Sequence, residues 1–292
     1  MSQSEMSPNA QPSPESPIPA AARSALEALG VRVDELQQTS REGRAASLDV
    51  WHTATVGLVL ALDDNGHRVN RMEREGREWA LSNDIPTPEI LAAAPDDSWL
   101  VTRWVSASER PADIYVSESL TIADRIMSLP IPDWRNQQSN WRTANDKRFT
   151  RALRMAVGGV NVRRWLTARQ AAEELPKDGM AHGDFYFRNV LDTTSGVQVV
   201  DWEFAGPAPH FTDHLRFWST LKSDEDADLA LSLILRNRSS EERNAIGILG
   251  RWLAYRLLGE NITVRRRFQN PADLTHARAG VGRGERLYAE TR

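Results

Sequence analysis

The chain has 292 residues, 40% of them hydrophobic and 26% charged, with a formal net charge of -4. That length can bury a substantial core, most naturally in two lobes, and the slight acidity gives no global attraction to nucleic acid or to an anionic membrane. There is no cysteine, which excludes disulfides and thiolate metal sites. The longest apolar run, residues 56–62, is too short to span a bilayer. The first residues lack the basic start and apolar stretch of a secretory signal, so a cytoplasmic protein is expected.

In chain order, residues 1–22 are rich in Ser, Pro, Gln and Glu and read as a disordered tail. Residues 22–29 form a short amphipathic helix stopped by Gly30. Strands are expected at 48–51 and 56–62, the second closed by the turn Asp63-Asp64-Asn65-Gly66. Residues 73–82 read as a helix with opposite charges at helical spacings. The breaker Ile85-Pro86-Thr87-Pro88 follows it, and 99–105 is another strand.

Residues 117–129 form a helix that ends before Pro130. Residues 133–147, with Trp134 and Trp141, read as a long polar loop. Residues 149–175 are helical with an interruption at Gly158-Gly159. Beyond Glu203 comes a breaker-rich turn, 204–209, then helices at about 212–221, 224–236 and 240–258 with apolar spacing near 3.6. Arg265-Arg266-Arg267 is either a solvated face or an anion site. Most of the ten tryptophans are expected in the core or between lobes.

The chemistry concentrates in one stretch. His182-Gly183-Asp184-Phe185-Tyr186-Phe187-Arg188-Asn189 leads through Val190-Leu191 to the turn formers of residues 192–196. The apolar strand 197–200 follows and ends at Asp201-Trp202-Glu203. A hairpin there folds Asp201 back beside Asn189. Phosphoryl transfer needs one carboxylate to orient a hydroxyl and accept its proton, and hard oxygen ligands for magnesium on a triphosphate. This segment supplies both. Glu203, two positions past Asp201, would share its face on a strand and either supports a metal shell or an acceptor amine, or forms an ion pair. His210 and His214 have the spacing of a metal pair on a helix, against which the neighbouring Pro209 argues.

The pattern H-G-D-x-x-x-x-N, with a following strand that ends in D-W-E, resembles the aminoglycoside phosphotransferase superfamily. The resemblance is strong over residues 180–215 and weaker elsewhere. It implies an α+β, two-lobed protein-kinase-like fold, with a small N-terminal lobe built on an antiparallel sheet and a larger, mostly helical C-terminal lobe. The expected division is a tail at 1–22, a nucleotide-binding lobe at 23–105 and a catalytic, acceptor-binding lobe at 106–292. The implied activity is transfer of the γ-phosphoryl group of ATP or GTP to a hydroxyl of a small molecule, an antibiotic or a metabolite.

By resemblance, Asp184 is the catalytic base, His182 a structural residue under the loop, and Asn189 and Asp201 the Mg²⁺ ligands. Asp213 braces the loop from the next helix. Arg188 either balances charge on substrate or phosphate, or pairs with a nearby carboxylate. Residues 41–47 fall where such a fold covers the phosphates and read either as that turn or as a surface turn. The strand end at Arg103, Trp104 and Val105 is the expected hinge beside the adenine. Asp224, Glu225, Asp226, Asp228 and Glu260 are acidic enough to suit a cationic acceptor, or are merely solvated.

One departure is serious. This fold places a lysine on a central N-lobe strand, bridged to a glutamate on the next helix. With Glu75 or Glu78 as that glutamate, Ala61 falls at the lysine position. The chain's lysines are Lys147, Lys177 and Lys222 alone, so no alignment restores one. Either an arginine replaces it, with Arg44, Arg68, Arg71 and Arg103 as candidates, or the cation is absent and the protein is a non-catalytic, kinase-like binding protein. Nucleotidyl transfer is a third reading.

Overall fold

The computed structural model describes residues 18–39, 48–133, 155–156, 160–268 and 271–292, and the side chains of these outside 260–274. Most of the expected tail, the whole of the loop at 41–47, nearly all of 133–147 and the side chains of Arg265, Arg266 and Arg267 therefore lie outside the described residues. The chain divides into two compact units. The first takes the described residues up to Asn70 and Glu89–Trp104, and the second takes Arg71–Pro88 and Val105–Arg292.

In the first unit, helix α1 (Ala20–Ala28) starts inside the stretch expected as tail and ends before Gly30, whose φ of 73° suits a residue without Cβ. An antiparallel sheet follows, in the order β1-β2-β3-β5-β4: β1 (Gln37–Gln38), β2 (Leu48–His52), β3 (Val56–Ala61), β4 (Ile90–Ala93) and β5 (Trp99–Arg103). Alternation along β3 sends Val56, Leu58 and Leu60 into a core with Ile18, Ala22 and Leu26, and leaves Gly57, Val59 and Ala61 on the opposite face.

The stretch Asp63-Asp64-Asn65-Gly66 is not a hairpin turn. Asp63 accepts a 2.8 Å bond from the Gly66 N–H and so caps a helix, α2, that runs from Asp64 to Ser82. The Asp-Asn-Gly composition suits both structures, and the cap prevails.

The second unit is built on helices α3 (Ala112–Ser128), α4 (Val162–Glu173), α5 (Thr212–Thr220), α6 (Asp224–Leu235), α7 (Ser240–Phe268) and α8 (Pro271–Glu290). Two small antiparallel pairs complete it: β6 (Gly179–Ala181) with β9 (Gly206–Ala208), and β7 (Val190–Thr193) with β8 (Gly196–Val199). The breaker-rich turn 204–209 thus contains a short strand.

Helix ends are set locally. Ser223 and Asn161 cap α6 and α4, while Ser239 and Glu242 exchange backbone bonds of 2.8 and 3.2 Å as a capping box for α7. Arg110 joins Asp192 on the hairpin to Glu118 on α3, which fixes the hairpin to that helix.

The segment Pro86-Thr87 docks on β8. Val199 N–H donates to the Pro86 carbonyl at 2.8 Å, and the Thr87 hydroxyl donates to the Val199 carbonyl at 2.7 Å and accepts from the Trp202 indole at 3.0 Å. Proline on either side of Thr87 holds this segment extended. Helix α5 is buried along its whole length, so both its polar and its apolar residues face protein.

Candidate active site

The site is assembled in the second unit on the loop between β6 and β7. The turn needs Gly183: its φ is 85°, and a Cβ there would sit 2.3 Å from the Phe204 carbonyl oxygen. Under the loop, Asp213 at the start of α5 accepts the N–H groups of His182 (2.6 Å) and Gly183 (3.1 Å). These bonds favour its charged form, but complete burial outweighs them and pushes its carboxyl up to about 7.

His182 is fully buried. Its Nδ1 accepts from the Asp184 N–H at 3.3 Å, and its Nε2 lies 3.0 Å from the Val200 carbonyl. The pair of contacts fits a neutral ring protonated on Nε2. The ring packs edge-on against Trp202, with centroids 4.7 Å apart.

Asn189 lies between the two carboxylates. Its Nδ2 is 3.3 Å from Asp184 Oδ2, 3.3 Å from Asp201 Oδ2 and 3.1 Å from the Asp184 carbonyl. Asp201 has φ 70° and ψ 62°, a left-handed conformation that costs on the order of 1–3 kcal/mol for a side-chain residue. Its surroundings hold it there, because Val200 N–H bonds the Asn189 carbonyl and Trp202 N–H bonds the Glu73 carboxylate. Burial and the neighbouring charges of Glu73, Glu203 and Asp184 raise the Asp201 carboxyl well above its ordinary range, and Arg77 opposes them. Residues 202–204 form one 3-10 turn, so the strand spacing that would place Glu203 on the face of Asp201 does not apply.

On helix α2 the structure places Glu73, rather than Glu75, against this region. Positions two apart on a helix point about 200° apart, so only one of them can. Arg77 holds Glu73 with bonds of 2.8 and 2.5 Å and also donates to the Pro88 carbonyl. The expected lysine substitutes have other surroundings among the described residues. Arg44 lies outside the described residues, Arg68 bonds Asn65, Arg103 bonds Glu89, and Arg71 is exposed. Sequence reasoning missed Glu73 and Arg77, although their i,i+4 spacing was the available signal.

It also missed Arg216. This buried residue on α5 donates from Nη2 to Asp184 Oδ1 at 3.0 Å, and its guanidinium carbon lies 5.7 Å from the Tyr186 ring centroid. Arg188 is exposed and lies 5.5 Å from the Phe187 ring. Burial and the nearby carboxylates push the Tyr186 phenol up to about 12.

Of the remaining expected residues, Ala61, Arg103 and Trp104 belong to the first unit. Ala61 ends β3, and its N–H bonds the Ser98 carbonyl. At the expected hinge, Arg103 and Trp104 already donate their N–H groups to Glu89 and Thr55, and Trp104 stacks on His52 at 4.1 Å; Val105 begins the second unit. His210 and His214 face different partners, Asp178 at 3.6 Å and Asp124 at 3.0 Å, and form no metal pair.

No protein-family model and no curated protein matches the sequence. Solved structures do. A choline/ethanolamine kinase family protein from Mesorhizobium loti matches at 14% identity and TM-score 0.58 over 93% of this chain and 95% of that one. The aminoglycoside phosphotransferase APH(2'')-IIa, in a ternary complex with streptomycin and ATP, matches at 12% identity and TM-score 0.59 over 86% and 95%. The chain has the aminoglycoside phosphotransferase-like fold. A putative fructosamine-3-kinase from Thermobifida fusca matches it at 16% identity and TM-score 0.55 over 93% and 99%. The expected α+β, two-lobed kinase-like architecture therefore stands. Among the described residues no helix is long and apolar enough to cross a membrane.

Proposed function

We propose that the protein is a small-molecule O-phosphotransferase that moves the γ-phosphoryl group of ATP to an acceptor hydroxyl. One observation carries this reading: a single carboxamide, Asn189, reaches both Asp184 and Asp201 at 3.3 Å. Asp184 orients the acceptor hydroxyl and takes its proton late. The new bond forms between that oxygen and the γ-phosphorus, the bond to the β-phosphate oxygen breaks, and ADP leaves. Such a transition state is loose, so aim and charge balance matter more than a strongly perturbed base.

Asn189 and Asp201 are the residues that would hold a divalent cation. Among the described residues no group of three or more His, Asp or Glu has metal-binding geometry. Magnesium, however, asks a protein for only one or two carboxylates. The crowding of Glu73, Glu203 and Asp184 around Asp201 is a field that a hard cation relieves. When bound, magnesium would neutralise the charge of the triphosphate. The structural neighbour whose ternary complex contains ATP supports ATP as donor.

The second reading is a non-catalytic binding protein, and the observation that favours it is Ala61, with no lysine before residue 147. Thermal unfolding with Mg-ATP and with Mg-GTP separates the two, since a ligand that binds only the native state raises its stability. A shift with Mg-ATP, together with phosphate transfer to some alcohol, supports the phosphotransferase. No shift at millimolar nucleotide supports the binding protein.

A further inference from the structure

We propose that the acceptor is an anionic alcohol, a hydroxyl compound bearing a carboxylate or a phosphate, recognised by Arg216, Arg188 and Lys222. This rests on the phosphotransferase reading of the same site. Arg216 is buried and 3.0 Å from Asp184, the group that would meet the acceptor hydroxyl. A guanidinium presents five donors in a planar fork, so one arginine can serve Asp184 and a second anion together. Arg188 and Lys222 are both exposed and flank one ring, Phe187, at 5.5 and 5.1 Å. Arg216 lies over the adjacent ring, Tyr186, with its guanidinium carbon 5.7 Å from the centroid. Three cations thus lie against two neighbouring aromatic rings, two and three residues after the base.

Of the acidic residues that would suit a cationic acceptor, three lie at the start of one helix, and the side chain of Glu260 lies outside the described residues. Asp224, Glu225 and Asp226 form the first turn of α6, where negative charge complements the helix dipole, and Asp224 lies 3.5 Å from Arg283 on α8. A polyamine brought to Asp184 would therefore meet guanidinium and ammonium groups, whereas a carboxylate or phosphate a few ångströms from the reacting hydroxyl would be held by charge-assisted bonds.

The test is calorimetric titration of the full chain, loaded with Mg-ADP so that no turnover occurs. The probes are glycerate, gluconate, glycerol phosphate and glucose phosphate, set against glycerol, glucose and glucosamine. The charged acids should bind, and the neutral and amino probes should not. The carboxylate and phosphate arms then tell which anion is read. Arg188→Gln and Lys222→Gln, both at exposed positions that leave the core intact, should together weaken the bound acid by about tenfold. Arg216→Lys, which keeps the charge but not the fork, should weaken it too.

Equal binding of neutral or amino probes, no binding of any acid, or unchanged affinity in the double variant would overturn the proposal. Selective acid binding without phosphate transfer from ATP would instead keep the anion site and remove the phosphotransferase reading, and with it the site's role in holding an acceptor.

Discussion

The loop from His182 to Glu203 and the strand β3 handle charge in opposite ways. In the loop the polar groups are fixed by partners: Asp213 holds the backbone of residues 182 and 183, Arg216 meets Asp184, and Asn189 joins Asp184 to Asp201. On β3 the expected cation is simply an alanine at position 61. Glu73 on α2 is paired within its own helix by Arg77. The contrast teaches that polar groups can be satisfied in two ways: those of the loop pair across neighbouring elements, whereas Glu73 is met by a residue four positions on in the same helix.

The sharpest way to break the contrast is at the base. Asp184→Asn keeps an oxygen for Arg216 and removes the proton acceptor. It should lower transfer by about 10²–10⁴-fold while Mg-ATP still raises the unfolding temperature. Full turnover in this variant would strip Asp184 of its role.

Next in size is the Glu73–Arg77 pair, whose side chains are 13% and 10% exposed. Arg77→Ala leaves a nearly buried carboxylate beside Asp201 and should cost about 3–5 kcal/mol in denaturant unfolding. The double variant Glu73→Gln/Arg77→Met, which removes both charges, should recover most of that. If the double variant is as unstable as the single one, the pair is not where the cost arises.

Asp201→Ala tests the other carboxylate. Removing one charge-assisted contact to a magnesium nucleotide should weaken binding by about 1.5–3 kcal/mol in titration. ATP affinity without magnesium should change far less. Equal loss with and without magnesium would reject the metal role.

Part of this was legible in the sequence because the polar groups concerned lie close along the chain. Asp184, Asn189 and Asp201 fall within one loop and hairpin, so turn formers and a short apolar run suffice to bring them together. Arg216 was not legible, since it reaches Asp184 only after β9 and the buried helix α5 have turned the chain back. Glu73 and Glu75 carry the same charge two positions apart, and only the phase of α2 distinguishes them. The start of α2 was misread for a related reason: Asp63 to Gly66 has the composition of a turn, and a side-chain cap uses the same residues. The short strands β6 and β9, three residues each, carry too little pattern to stand out.

The smallest expected effect is a pH dependence, and it isolates the brace beneath the loop. Burial raises the Asp213 carboxyl from 3.8 to about 7, so between those values the folded protein holds a proton that the unfolded chain has released. Stability from this group is therefore complete below about pH 4 and declines as the pH rises through 7. Carboxylates lowered by ion pairs, such as Asp124 beside His214 and Arg238, act with the opposite sign, which makes the whole-protein curve uninformative. The difference between the wild type and Asp213→Asn removes those shared contributions. An asparagine does not titrate, and its amide must turn a donor toward one of the two N–H groups that Asp213 accepts, at a cost of about 1–3 kcal/mol. The wild type's advantage should accordingly be greatest at or below about pH 4 and shrink steadily toward pH 8. An advantage that grows with pH would mean that the two backbone bonds outweigh burial, and that Asp213 holds the catalytic loop as a charged carboxylate.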